Sequence, residues 1–411
     1  MGLAAAGSSL VGAADYSLLG FGTVGYAVSD QKPAYLRYID SKGTLKADSL
    51  IGLQGEAQFD PQWGATVQVV GSAPQKRDNG LEAQVRWAFA SYRPNSDWLL
   101  RAGRLRVPFL LDTQNAEVGA TYDQARLPTE VYSLFPVYDA DGAAFTKTWD
   151  GNGSEFRLDG YVGKTDIKFR NPFHADPALR LFPDPYLPEK VEVAGLILSY
   201  SRSSLLLRGG VHKAVLRASG SQLFVDGFTP SQIPAPAPFG GAVYGPGNII
   251  NKIDVNVLTA AVDWHPGDWR FTTEYVQRFV RDSTIGIGSK SAYVTVARSV
   301  GKWTPYITYA RLLSAPETRK LYDNLNRTPV PLAAQGPPAF LPATFHKILA
   351  GQIFVYDQFS VMVGTSYDLS LSSKLKFEWM YTKVGLASVL VDGDVHHKGF
   401  NVFSMSYNFA F

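Results

Sequence analysis

The last twelve residues, Phe400-Asn401-Val402-Phe403-Ser404-Met405-Ser406-Tyr407-Asn408-Phe409-Ala410-Phe411, constrain the fold more than any other segment. Read back from the terminus, Phe411, Phe409, Tyr407, Met405 and Phe403 are large and apolar. Ala410, Asn408, Ser406, Ser404 and Val402 alternate with them. Period two describes a strand with one face toward something greasy and the other toward something wet. A strand that is apolar on one side and ends on an aromatic has to be paired along both edges, or it templates aggregation.

Composition says what the greasy side meets. A chain of 411 residues would ordinarily divide into two or three soluble domains. Here 45% of residues are hydrophobic, yet none form the run of about 20 that a transmembrane helix needs. With Tyr 21, Phe 24, Trp 8 and Gly 38, the hydrophobicity is diffuse, as when only alternate residues touch lipid. Cysteine is absent, which removes thiol chemistry and thiolate metal sites. A formal charge of +3 is too small to imply a nucleic-acid partner, and neither a phosphate loop nor a nucleic-acid motif occurs. Residues 1–13 are small and apolar, with Val11-Gly12-Ala13 where a signal peptidase would cut; they read as the remnant of a secretory leader.

Turn chemistry cuts the remainder, 14–411, into sixteen strands. The expected strands are 16–28, 49–59, 63–71, 81–92, 98–106, 142–149, 154–163, 191–200, 205–212, 252–264, 269–280, 291–299, 303–311, 359–367, 375–383 and 400–411. Tight turns such as Asp60-Pro61-Gln62 and His265-Pro266-Gly267 join alternate pairs. The other connections are long: 214–250 holds five prolines and 314–343 holds six. Six of the 8 tryptophans (Trp63, Trp98, Trp149, Trp264, Trp269, Trp303) adjoin the short turns, as a ring at one membrane interface would. The fold expected is all-β: a single transmembrane antiparallel up-and-down β-barrel of sixteen strands, with short periplasmic turns and long external loops.

The C-terminal pattern, with Phe403, Tyr407, Phe409 and Phe411, resembles the signal by which outer-membrane proteins of Gram-negative bacteria are recognised for assembly. Across nearly the whole chain the sequence is similar to the general diffusion porins. It looks closest to a porin-like subgroup with segments such as 48–54 (DSLIGLQ), 103–109 (GRLRVPF) and 128–132 (PTEVY). That resemblance implies location in the outer membrane among lipid and lipopolysaccharide, insertion by the barrel-assembly machinery, a homotrimer, and a third external loop folded into the lumen. Strands 142–149 and 191–200 divide poorly into two faces, which also suits a neighbouring subunit.

A sixteen-stranded barrel is too wide for its wall to select solutes. The connection 107–139 is the expected constriction, because Phe109, Leu110, Leu111, Val118, Tyr122, Leu127, Val131, Tyr132, Leu134 and Phe135 need a surface to pack on. It carries Asp112, Glu117, Asp123 and Glu130, with Arg126 its internal cation, opposite wall cations Arg86, Arg101, Arg104 and Arg106. Acids facing bases across a wet gap would set a transverse field. Strict alternation cannot send Arg101 inward together with Arg104 and Arg106, so a bulge intervenes or that pair lies above the membrane. Parity adds Gln54, Glu56, Arg157, Asp159, Arg208, Glu274, Arg278, Lys376 and Glu378 as lumen lining.

The function expected is a water-filled channel for passive diffusion of small hydrophilic solutes, with no cofactor and no catalysis. Two alternatives are a channel selective for small carboxylates, given the arginines, and a closed barrel serving as scaffold or adhesin. Asp392, Asp394, His396 and His397 resemble a metal-ligand cluster, but their place near the last loop's tip favours a solvated turn. His212 and His346 are the candidate catalytic bases, and neither sits in a nucleophile context.

Overall fold

A computed structural model describes residues 15–75, 77–135, 138–170, 186–219 and 224–411; the expected leader remnant at 1–13 lies outside them. The first nine strands are β1 (Asp15–Ser29), β2 (Leu50–Gln58), β3 (Trp63–Ser72), β4 (Glu82–Asn95), β5 (Trp98–Arg106), β6 (Asp139–Gly151), β7 (Ser154–Arg170), β8 (Tyr186–Arg202) and β9 (Leu205–Ala218). Within the next connection come β10 (Phe224–Val225), β11 (Phe228–Ile233), β12 (Gly241–Pro246) and β13 (Ile249–Ile250). The rest are β14 (Lys252–Trp264), β15 (Trp269–Val280), β16 (Ser289–Arg298), β17 (Trp303–Ser314), β18 (Tyr356–Ser370), β19 (Ser373–Ser388) and β20 (Gly399–Ala410). β1–β9 and β14–β20 close into one 16-strand antiparallel barrel.

Closure happens where the sequence pointed. β20 pairs antiparallel with β1, from Phe21↔Ala410 to Ser29↔Val402, and Gly20 exchanges two 2.8 Å backbone hydrogen bonds with Phe411. The ring of Phe409 lies over Gly22, where a Cβ would come within 2.7 Å of it, and Phe411 covers Gly20 in the same way. Bare glycines on one strand thus receive aromatic rings from its neighbour, which covers backbone that lipid would otherwise face. Along β20, Phe403, Met405 and Tyr407 are exposed on the outer wall, whereas Val402, Ser406 and Asn408 are buried inside.

The outer wall is apolar all round, with Ile51, Leu53, Val162, Leu196, Val211, Val294, Ile307 and Val363 among its exposed side chains. Each residue of the tryptophan ring sits at or near the end of its strand beside a short turn. Lys147 lies over Trp98 (5.4 Å) and Trp149 (5.6 Å) and reaches Asp97 at 2.7 Å, an arrangement suited to a membrane–water boundary.

The structure departs from the simple strand pattern, or adds to it, at three places. Between Gln68 and Val69 the β3–β4 register slips by one residue: Gln68 faces Trp87 and Val69 faces Val85, leaving Arg86 as the extra residue of a bulge. The alternation of 81–92 therefore reverses there, and Trp87 and Phe89 fall on one face (ring centroids 6.1 Å apart), away from exposed Val85. The proline-rich connections are also more ordered than their composition suggests. The connection 315–355 forms helices at Pro316–Arg327, Leu332–Gln335 and Phe345–Ala350, the first with proline at its opening turn, where no backbone N–H is required. These helices pack with Tyr244 of β12 around Leu325, Leu349, Ile353 and Val355. Lastly, the inner face of 191–200 is apolar because Val191, Val193 and Ile197 belong to the interior cluster built on the connection after β5. That packing accounts for the apolar inner face of 191–200.

Candidate functional site: the lumen and its inward loop

Residues 107–135 follow β5 and lie inside the barrel. The descent begins at Gly103, whose φ of +131° and contact with the Ala88 carbonyl (2.3 Å from any added Cβ) exclude other residues. Beyond this kink the two arginines of equal parity separate. Arg104 donates to the Val85 carbonyl at 2.7 Å and meets Asp141 in a half-exposed pair. Arg106 is buried in the interior.

There it completes a four-membered ion cluster. Glu117 of the loop meets Arg86 at 2.8 Å and Arg106 at 2.7 Å, and Asp139 meets the same two arginines at 3.2 and 3.0 Å. Two cations and two anions compensate each other where water is largely excluded, so the cluster fixes the loop's root. The β4 bulge is what turns Arg86 toward it.

The far half of the loop is fastened to the opposite wall. α1 (Thr129–Tyr132) holds Glu130, wholly buried, which accepts hydrogen bonds from Gln358 at 2.7 Å and from Ser360, both on β18. Glu274 of β15 accepts from the backbone N–H of Leu111 at 2.9 Å and from the hydroxyls of Tyr132 at 2.5 Å and Tyr293 at 2.9 Å. Arg278 donates to the Leu134 carbonyl at 2.8 Å, and Lys376 donates to the Gln124 carbonyl at 2.8 Å while lying over the Tyr122 ring. Tyr306 links Glu378 (2.8 Å) to the Ala125 N–H (3.1 Å). Glu274, Arg278, Lys376 and Glu378 therefore point inward, but beneath the loop.

Between its fastened parts the segment 112–126 forms a rim, with Gln114 and Thr121 exposed and Asp112, Asn115, Glu117 and Asp123 partly accessible. Asp123 pairs with Lys374 at 2.7 Å and accepts from Ser366 at 2.8 Å. Burial alone would raise its pKa, but Lys374 and these hydrogen bonds bring it below the ordinary carboxylate value. Asp112 is moved the other way: burial raises it, with Arg270 opposing only in part. Arg126 turns upward to Asp48 of the first loop at 2.5 Å. The rim thus keeps little free acid, because most of its charges are spent in short pairs.

Charged and polar inward side chains that remain partly accessible include Gln54 and Glu56 on β2, Arg101 on β5, Arg157 on β7 and Arg208 on β9, with Asp159 buried beside Arg157; Leu19 of β1 and Trp87 and Phe89 of β4 share the inner face. On β15–β20 the corresponding positions are nearly all buried under the loop. At the long-loop mouth a second set of ion pairs ties segments together. Asp78 meets Arg37 at 3.1 Å and Arg170 at 3.6 Å and accepts from Tyr186 at 2.7 Å, while Arg170 also holds Asp392 at 2.7 Å. Burial would raise the pKa of Asp78, yet the Tyr186 hydroxyl and the two guanidinia leave it lowered.

No metal site emerges: among the described residues no group of three or more His, Asp or Glu converges on a cation position. Asp392 is engaged by Arg170, and His396 donates from Nδ1 to the Leu386 carbonyl (2.9 Å). The candidate bases are occupied too. His212 lies between Tyr161 (2.7 Å) and Thr259 (3.0 Å), and His346 lies between the Tyr244 N–H (3.0 Å) and the Thr328 carbonyl (2.8 Å).

A closed barrel with an apolar outside, a partly wet inside and a connection folded across its interior is a transmembrane β-barrel of the outer-membrane type. Its fold is that of the outer-membrane porins. It superposes on a loop-deletion form of OmpT, an outer-membrane protein of Vibrio cholerae, with a TM-score of 0.54 and 12% identity over 97% of this chain and 99% of that one. An anion-selective porin from Comamonas acidovorans gives 0.52 and 12% over 97% and 100%. Salmonella typhi OmpF, in complex with daunomycin, gives 0.51 and 13% over 96% and 97%. At these identities the likeness is one of fold. No family model matches the sequence, and no curated protein matches it.

Proposed function

We infer that this chain is an outer-membrane porin through which small hydrophilic solutes diffuse passively, without cofactor or energy input. One observation supports this most: charged and polar inward side chains that stay partly accessible, Gln54, Glu56, Arg101, Arg157 and Arg208, lie on β2–β9, while the corresponding positions of β15–β20 are mostly buried under the loop. Wet side chains on one sector and a packed loop on the other describe an off-centre aqueous path, narrowed by the loop to a small fraction of the barrel's section. Solute flux follows the concentration gradient, and the rim sets the size limit. Outer-membrane residence implies lipopolysaccharide and the barrel-assembly machinery as partners, and the resemblance to general diffusion porins implies a homotrimer.

Swelling of proteoliposomes in neutral sugars tests the reading. Rates should fall steeply from a pentose to a trisaccharide, by roughly ten-fold or more if the loop narrows the path. Vesicles that hold folded barrel and swell in none of the sugars would instead favour the scaffold reading, which the clasped mouth around Asp78 suits.

A further inference from the structure

Three upward strands carry arginine at the same place. Arg101 is the fourth residue of β5, Arg157 the fourth of β7 and Arg208 the fourth of β9, each counted from a short turn. All three side chains face inward and are partly accessible. The register sets them around one carboxylate. Arg157 donates from Nε to Asp159 at 3.0 Å; Thr146 donates to the other oxygen of Asp159 at 2.6 Å; Arg101 donates to Thr146 at 3.2 Å. On the other side Arg157 faces Ser199 of β8, and Ser199 faces Arg208 of β9, so Arg157 and Arg208 stand about 10 Å apart, two strand spacings.

The charges in this belt do not balance: of the three guanidinia only Arg157 is directly bonded to a carboxylate, Asp159, among the described residues. Hydrogen-bonding capacity is also unspent. Among the described residues Arg157 has Asp159 as its partner and no other, its side chain is 42% exposed, and its outer N–H groups face the lumen. Among the described residues the Ser199 hydroxyl, buried between Arg157 and Arg208, and the Nε groups of Arg101 and Arg208 have no hydrogen-bond partner. Arg208 is held by the carbonyls of Pro108 and Leu110 at 2.6 and 2.8 Å, which fixes its charge directly under the loop's root.

We propose that this belt is a binding site for small oxyanions, carboxylate or phosphate, on the short-turn side of the loop. The planar fork of a guanidinium pairs with such a group through two parallel hydrogen bonds, and a fixed belt of cations draws the anion from solution. This deepens the porin reading by naming a solute class, and it rests on that reading for its role in transport.

Equilibrium binding to the detergent-solubilised full chain tests it independently of flux, with succinate, inorganic phosphate and neutral glucose as probes in isothermal titration calorimetry. Saturable binding of succinate or phosphate, with none of glucose, is expected, and the two anions tell carboxylate from phosphate preference. Arg101→Gln with Arg157→Gln should weaken the anion about ten-fold or more, while Asp159→Asn, which removes the competing carboxylate at constant shape, should tighten it about five-fold. The opposite signs guard against a merely misfolded variant. Absence of saturable anion binding to the unaltered chain, equal binding of glucose, or an unchanged or weakened affinity in Asp159→Asn overturns the proposal. Sugar-driven swelling with no anion binding would sink this site and leave the porin intact; anion binding without swelling would do the reverse.

Discussion

Replacing Glu130 with alanine should raise single-channel conductance roughly two-fold and make the open current noisy, because the loop inside the barrel loses its anchor on β18. Glu130 is fully buried and accepts from Gln358 and Ser360, and neither donor has water to turn to. Ser360 keeps Thr382 as a partner at 2.8 Å, so the stranded donor is Gln358, at a cost of about 1–3 kcal/mol, enough to let α1 leave the wall for part of the time. Glu130→Gln retains a carbonyl acceptor and should stay close to the parent in planar bilayers. Equal conductance and noise in the alanine variant would mean that α1 is held by its apolar contacts, Val131 and Leu134, and not by this carboxylate.

Arg106→Leu should be the most destabilising single change in the loop's root. It leaves Asp139 and Glu117 to share Arg86 in a place from which water is nearly excluded, and breaking one member of such a buried cluster costs about 3–5 kcal/mol. Urea titration followed by tryptophan fluorescence should show the midpoint fall. The double change Arg106→Leu with Asp139→Leu removes one charge of each sign and should recover much of the loss. A double variant as unstable as the single one would show that Arg106 acts through packing alone.

The wall was legible in the sequence, whereas the inside was only partly so. Period-two alternation needs no knowledge of partners, so sixteen strands and a tryptophan ring could be read from residues such as Trp63, Trp98 and Trp303 beside short turns. The span of Trp98–Arg106 and both strands flanking His265-Pro266-Gly267 appear in the structure as expected. Parity fails where the backbone bulges: nothing local marks Arg86 as the extra residue, and its partners Glu117 and Asp139 lie far along the chain. Charge type is visible in sequence, but its neutralisation is not. The loop acids were expected to face basic wall across a gap; the geometry instead joins Glu117 to Arg86 and Arg106, Asp123 to Lys374, and Arg126 to Asp48. Such pairs depend on which strands the closed barrel brings together. The belt of Arg101, Arg157 and Arg208 is an intermediate case, because its repeat from each short turn can be counted in the sequence once strand starts are known.

Single-channel recording of the refolded chain in a planar bilayer tests most directly whether the barrel encloses an aqueous path. The account predicts discrete current steps that are linear in voltage and scale with salt concentration. Electrically silent insertion of a barrel that still migrates as folded in unheated gels would contradict it.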